Sequence, residues 1–485
     1  MLENIVIVGL GPGDPRFLTA EASEVLAAAD ELYLRTREHP IVEALPGTPT
    51  LHSFDALYET AESFDALYRA IADRILELGA RPQGVVYAVP GHPLVGETSV
   101  RLILDGAVDR GLTVRLVDGL SFVEPVLSAL RIDALTGLQL VDGLDLAAQH
   151  SPLLDPDRPA IVGQLYSRQV ASDVKLTLLS VYPEEHLVTI VHRAGLPGQE
   201  LRTKPLYDLD RDAVDHLTSL YLPPLERPGS PITFQELIAH LRGPMGCPWD
   251  REQTHQSLRP NLLEETYEAL AALDSGDMED LKEELGDLLL QVFLHIQIAS
   301  ECGEFAMRDV VGHIIEKLRR RHPHVFGQVT VAGTGEILRN WEEIKRTEKG
   351  ARGLSSSFAG VSSALPALAR AQAIGERAAR VGFDWPDEEA NWRDAGERLR
   401  GLRRAPDLES RNRELGELLF AMVGLARRLG LDAESALREA TIRFMARVVA
   451  AEEELAGRGR RPEEVTAAEW AELWWRTEHA GSDAG

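Results

Sequence analysis

The sequence has 485 residues, 44% of them apolar and 26% charged, which is ordinary for a globular protein and long enough for roughly two to four domains with cores of their own. A net charge of −26, with no lysine- or arginine-rich tail, argues against non-specific binding to nucleic acid or anionic membranes. Cys247 and Cys302 are too few for a disulfide framework or a cysteine zinc site, and no apolar run approaches a membrane span, so a reduced cytoplasmic enzyme is the expectation.

Over the first 220 or so residues, strand-like and helix-like stretches alternate. Strands are expected at 5–10, 84–90, 113–119, 159–166 and 186–194, and helices at 18–29, 62–79, 97–110 and 167–180, an α/β pattern. Gly9, Gly11 and Gly13 follow the first strand and allow a tight turn with close backbone approach to a ligand. Their GxGxG spacing is not the dinucleotide fingerprint. The duplicated SFDALY, at 53–58 and 63–68, is read as incidental, because its repeat is not a whole number of helical turns.

The proline-rich LPPLERPGSP (222–231) reads as a linker. Beyond it long helical periodicities take over, and they contain the most informative stretch of the chain, NLLEETYEALAALDSGDMEDLKEELGDLLLQ (261–291). Glu265 and Glu268 are three apart, as are Glu284 and Asp287. On a helix each pair shares one face, about 60° apart and roughly 4.5 Å along the axis. The intervening DSGD supplies a glycine stop for the first helix and an aspartate N-cap for the second. Folded back antiparallel, Glu268 meets Glu284 and Glu265 meets Asp287. Crowded carboxylates must take up protons or bind a cation, and all-oxygen ligation suits Mg²⁺ or Mn²⁺. The competing reading is an acidic, solvated face. Met278, Leu281, Leu285, Leu288 and Val292 recur at helical intervals and are expected to form a core stripe beside the acids.

An internal repeat is visible here. KEELGDLLLQV (282–292) returns as NRELGELLFAM (412–422), 130 residues later, and CPWD (247–250) has a looser echo in GFDWPD (382–387). In the second copy Glu417 stands for Asp287, the preceding NWRDAGERLRGL has no EExxE, and arginines occupy the region of the acids. The second unit is therefore expected to keep the packing without the metal box.

GCPWDREQTHQSL (246–258), the EExxE and ExxD boxes, KLRRRHPHVFG (317–327), WEEIKRTEK (341–349), SALPALARAQ (363–372) and VGFDWP (381–386) together resemble the MazG family of nucleoside triphosphate pyrophosphohydrolases. The resemblance implies an all-α fold, commonly dimeric, and Mg²⁺-dependent cleavage of the α–β bond of nucleoside triphosphates to a monophosphate and pyrophosphate. It implies Glu265, Glu268, Glu284 and Asp287 as metal ligands, with Glu264 close by. Glu264 or Glu265 would accept a proton from the attacking water. Lys317, Arg320 and Arg321 would meet the β- and γ-phosphates or else form a solvated helix end. Trp249 is read as stacking on a base or, more readily, as a core tryptophan, and His322 and His324 as structural.

IVIVGLGPGDPRFLT (5–19), YAVPGHPLVGETSV (87–100), VDGLSFVEPVLSAL (117–130) and VHRAGLPGQE (191–200) resemble a second family, the tetrapyrrole (corrin/porphyrin) methylases, which use S-adenosylmethionine. That family folds its cofactor between two α/β subdomains. The matching positions here are Pro12, Gly91, His92, Val95, Ser121 and Leu165, where many members carry an acid at the place of His92. The joint arrangement resembles bacterial YabN-type fusions. The expected chain is multidomain, with an α/β methylase-like half over 1–225, an all-α MazG-like repeat with an intact metal box over 226–350, and a degenerate repeat over 351–485. The favoured activity is nucleotide pyrophosphohydrolysis, with homodimerisation through the helical half. The alternatives are a methyltransferase on a small acceptor with the helical half as a dimerising or regulatory arm, and an interaction scaffold without catalysis.

Overall fold

The computed structural model describes residues 3–337, 340, 341, 344, 348, 358, 361–462 and 465–480, the last six by backbone alone. The chain divides into two compact units, Met1–Glu252 and Gln253–Gly485. Among the described residues no helix is long and apolar enough to cross a membrane.

In the first unit the order is β1 (Ile5–Gly9), α1 (Ala20–Ala28), β2 (Glu31–Leu34), β3 (Thr50–Ser53), α2 (Asp55–Thr60), α3 (Phe64–Gly79), β4 (Val85–Val89), α4 (Thr98–Arg110) and β5 (Val114–Val117). These strands form a parallel sheet in the order β3-β2-β4-β1-β5. β1 is a near-continuous apolar run because helices cover both faces of such a sheet. Ile5, Ile7, Tyr87, Val89, Val100 and Ile103 are fully buried on one side of it, and Val8, Leu26, Leu32 and Leu34 on the other. Each such side chain contributes about 1.5–3 kcal/mol by leaving water. Then come α5 (Val123–Leu130), β6 (Gln139–Asp142), α6 (Gly143–Ala147), β7 (Ala160–Gly163), α7 (Arg168–Leu178), β8 (Leu187–His192), β9 (Glu200–Pro205) and β10 (Thr218–Leu222). The second sheet runs β6-β7-β10-β8-β9 and is antiparallel except for the β6–β7 pair. The two subdomains of the expected α/β half are these two sheets with their helices.

The proline-rich stretch after β10 is no free tether. Asp157 accepts hydrogen bonds from the amides of Gly229 (2.8 Å) and Ser230 (3.1 Å), and the Leu225 amide donates to the Pro156 carbonyl. Ser230 then caps α8 (Pro231–Arg242), which is followed by α9 (Pro248–Glu252).

The second unit is helical. α10 (Arg259–Ser275) and α11 (Met278–Glu301) form an antiparallel hairpin, followed by α12 (Met307–Arg321) and α13 (Pro323–Phe326). Gly276 adopts φ +73°, the left-handed turn that ends α10. The Asp277 carboxylate accepts from the amides of Glu279 (2.9 Å) and Asp280 (3.2 Å) and so opens α11, a cap worth about 1 kcal/mol. The internal repeat is a second hairpin, Glu388–Arg404 against Leu408–Arg428, whose second helix begins at the expected offset from α11 and whose turn is one residue longer. Helices Ala367–Arg380, Ala433–Gly457 and Ala467–Ala480 surround it.

One expectation is corrected. Met278, Leu285 and Val292 are exposed rather than core, and the buried residues of α11 are Gln291, Phe293, Leu294, Ile296, Ile298 and Ala299. Periodicity identifies the apolar face of a helix, but it does not supply a neighbour to cover that face.

Candidate functional site

The turn at Gly276–Asp277 sets the register of the first hairpin, and the register brings acids together. Glu265 and Glu268 on α10 and Glu284 on α11 each offer a carboxylate oxygen, and these three atoms lie within 4.8 Å of one another. Asp287 is not within that triad, yet its charge acts on both Glu265 and Glu284. Loss of hydration, then the negative charges of Asp287 and Glu268, push the Glu265 carboxyl above the usual carboxylate range. Loss of hydration, then Glu268 and Asp287, do the same to Glu284. A hard divalent cation relieves this repulsion, and oxygens so close need only small rotations to share one. On the structure's own terms these side chains fit an Mg²⁺ or Mn²⁺ ion. Glu264 is exposed and stands outside the group.

The same face of α11 continues beyond the acids. Positions 284, 287, 291 and 295 fall within about 80° of one another on a helical projection. Gln291 is 4% exposed, and its Oε1 has no hydrogen-bond partner among the described residues. His295 Nδ1 meets His255 Nδ1 at 2.8 Å, with the rings stacked at 5.1 Å, while its Nε2 is buried and unpartnered. Burial, then the neighbouring His255, hold the His295 pKa below the ordinary histidine value, so the ring is neutral at neutral pH. Sequence reasoning passed over Gln291, His295 and His255. The available signal was a pair of polar residues four apart inside the apolar run LLLQVFLHI.

The basic end of α12 is occupied. Glu348 pairs with Arg320 at 2.7 Å and also with Arg321. Hydrogen bonds from Arg321, then Arg320, pull its pKa down to about 2. Arg321 also lies over the Trp341 ring. Lys317 is half-buried, with no ion pair among the described residues. His322 Nδ1 bonds to the Leu318 carbonyl at 2.8 Å, a structural role. Of WEEIKRTEK only Trp341, Ile344 and Glu348 fall within the described residues, and most of the segment joining the repeats lies outside them. Trp249 is on α9 in the first unit and is 60% exposed, so the core reading does not hold.

In the second hairpin Glu414 and Glu417 stand for Glu284 and Asp287, while the facing helix Glu388–Arg404 has no EExxE and carries Arg398. Arg398 reaches Asp394 at 3.3 Å and Glu417, the counterpart of Asp287, at 4.0 Å. The opposing charge there is built into the chain.

In the first unit, Pro12 lies in the loop after β1, Gly91, His92 and Val95 in the loop after β4, and Ser121 after β5, all at the C-terminal edge of the parallel sheet, where α/β folds take ligands. Gly11 and Gly91 exchange backbone hydrogen bonds at 3.2 and 2.9 Å. A Cβ on Gly9 would come within 2.6 Å of the Gly91 carbonyl, so the loops close up only on glycine. A Cβ on Gly91 would meet nothing nearer than 3.9 Å, which leaves a notch beside Ser121. His92 accepts from the Leu94 amide through Nδ1 and faces Asp118 at 3.4 Å through Nε2. Leu165 is buried in the second sheet's core, and its neighbour Gln164 reaches the Gly96 carbonyl at 3.5 Å. A buried pair missed in the sequence, Arg35–Glu97 at 2.8 Å, ties the end of the β4 loop to β2.

Residues 253–326 match the family model described as the MazG nucleotide pyrophosphohydrolase domain, and residues 4–210 match that of the tetrapyrrole (corrin/porphyrin) methylases. The chain is 40% identical to the YabN protein of Bacillus subtilis over 484 residues, 98% of each chain. It is 45% identical over 246 residues to the nucleoside triphosphate pyrophosphohydrolase/pyrophosphatase MazG of Thermotoga maritima, covering 50% of this chain and 94% of that one. Among solved structures, a uroporphyrin-III C-methyltransferase of Thermus thermophilus aligns with 46% of this chain and 93% of its own, at 24% identity and a TM-score of 0.37.

Proposed function

The chain belongs to the YabN-type family, in which a tetrapyrrole methylase-like domain is fused to a MazG-type domain, and we propose that its first helical hairpin hydrolyses nucleoside triphosphates between the α- and β-phosphates. The observation that carries this reading is the convergence of Glu265, Glu268 and Glu284, with Asp287 alongside. These four would hold Mg²⁺ or Mn²⁺, which when bound supplies the positive charge that draws the triphosphate in and offsets charge on the leaving group. The carboxylate not engaged in ligation, Glu265 or the neighbouring Glu264, accepts a proton from water as its oxygen bonds to the α-phosphorus. The bond to the bridging oxygen breaks, and pyrophosphate departs. Lys317 meets the outer phosphates, and Arg320 and Arg321 join it only in exchange for Glu348. Trp249 takes no part in this proposal. We assign 226–350 as the active repeat and 351–485 as the degenerate one, in a cytoplasmic homodimer whose contact covers the exposed apolar residues Leu285, Leu289 and Val292.

The methylase-like domain, assigned to 1–225, is proposed to bind S-adenosylmethionine at Pro12, Gly91, His92, Val95, Ser121 and Leu165, a reading favoured by the notch at Gly91. Methyl transfer to a small acceptor, with the helical half as a dimerising module, is the second reading. Phosphorus NMR of (d)NTP reactions with and without Mg²⁺ separates the two. Monophosphate plus pyrophosphate, formed only with metal, is the expected result. No turnover, together with calorimetric binding of S-adenosylmethionine, leaves the second reading standing.

A further inference from the structure

Two buried polar atoms on α11 have no role in the chemistry just described. Gln291 Oε1 and His295 Nε2 are shut away from bulk water and unpartnered among the described residues. Leaving such groups unpaired costs about 1–3 kcal/mol each, so a native chain keeps them for a reason. The second hairpin shows that packing is not the reason. Its residues at the corresponding positions are Ala421 and Leu425, 1% and 2% exposed, and the fold closes over them without polar atoms. The second hairpin keeps Glu414 and Glu417 on its second helix, but its first helix has no EExxE, and the polar pair is missing with it. The EExxE acids and the polar pair therefore vary together, as parts of one site would.

Position along the helix says which part. Gln291 lies about 6 Å and His295 about 12 Å along the axis from Asp287, on the side away from the turn. That span is comparable to the reach of a nucleoside from its α-phosphate to the edge of its base.

We propose that Gln291 and His295 read the hydrogen-bonding edge of the nucleobase, with His255 holding the His295 ring. The inference rests on the pyrophosphohydrolase reading and adds to it where the base goes. The Nδ1 contact between the histidines needs one proton. If His255 donates, the neutral His295 carries its own proton on Nε2 and offers a donor beside the Gln291 acceptor. If His295 donates, Nε2 becomes an acceptor. The pair therefore matches a base presenting an N–H next to a carbonyl or ring nitrogen, and the tautomer adapts it to more than one base.

The test uses the full chain with Mg²⁺ and measures kcat and KM for nucleoside triphosphates, alongside inhibition by inorganic tripolyphosphate, which has no base. Gln291→Leu and His295→Leu install side chains of the kind the second hairpin buries at these positions, and Gln291→Met is a gentler change should either fail to fold. Each variant is expected to raise KM at least about tenfold, as expected for one lost buried hydrogen bond. Both kcat and tripolyphosphate inhibition should stay within about threefold of the parent. An unchanged KM overturns the proposal, and so does an equal loss of nucleotide and tripolyphosphate affinity, because that marks a purely structural role. Glu284→Gln run in parallel separates the two levels. If it keeps full turnover, the hydrolase reading itself fails. If it silences the enzyme while Gln291→Leu leaves KM alone, only the base site fails.

Discussion

The two helical hairpins of the second unit are built alike, each with a 17-residue first helix and a short turn before a longer second helix, and they differ most where their facing helices meet. In α10–α11 three carboxylates converge with a fourth alongside, and two buried polar atoms are left over. In Glu388–Arg404 with Leu408–Arg428 the second acid pair is kept as Glu414 and Glu417, the first helix has no EExxE and carries Arg398, and Ala421 and Leu425 stand for Gln291 and His295. The first hairpin is electrostatically incomplete without a cation, whereas the second carries Arg398 against Asp394 and Glu417. A hairpin can thus keep its packing when its site is replaced by an internal ion pair and apolar core.

The sharpest way to break the comparison is Glu284→Gln against its counterpart Glu414→Gln. The first is expected to lower pyrophosphate release about a thousandfold or more, since a metal contributes several kcal/mol to such chemistry. The second should stay within twofold in the same assay. Next, Glu268→Arg sets an arginine among the acids of the first hairpin, as Arg398 is set among those of the second. Activity should be lost, while the metal-free helical unit melts roughly 1–3 °C higher because like-charge repulsion is relieved. Mg²⁺, which should raise the melting temperature of the parent, should leave this variant unmoved in a calorimetric scan.

A smaller effect is expected where the first hairpin touches a helix of the second repeat. Arg438 on Ala433–Gly457 pairs with Asp274 at the end of α10 at 2.8 Å, with both side chains largely buried. Asp274→Ala should cost about 0.5–1 kcal/mol in urea unfolding and leave kcat within twofold. Smallest is an acid effect at Glu348. Its folded pKa, about 2, lies below the unfolded value near 4.5, so its contribution to stability is complete above pH 4.5 and is lost as pH falls from there towards 2. Glu348→Gln should flatten that part of the acid-unfolding curve followed by circular dichroism.

Much of this architecture was legible in the residues. The DSGD turn announced both a left-handed stop and a cap, and the three-residue spacings put Glu265, Glu268 and Glu284 on facing surfaces. Likewise IVIVGL and GVVYAVP, apolar throughout, read as central parallel strands. Other features were hidden for physical reasons. β2 and β3 are four residues each, too short for a period to show, and β9, ELRTKP, is an edge strand whose polar side chains face water. The pairing of Arg320 and Arg321 with Glu348 spans some 27 residues, and no local spacing rule reaches that far. Of the stripe from Met278 to Val292, which has the right period, Met278, Leu285 and Val292 stand exposed while Leu281 and Leu288 are partly covered. Gln291 and His295 were hidden by their setting, since a polar residue inside an apolar run reads as noise until its burial is known.

The most direct test of the account is a crystal of the protein soaked in Mn²⁺, with anomalous scattering recorded at the manganese edge. The account predicts a peak among the carboxylates of Glu265, Glu268 and Glu284 and none beside Arg398 and Glu417. A first hairpin without a peak, or a peak in the second, contradicts it.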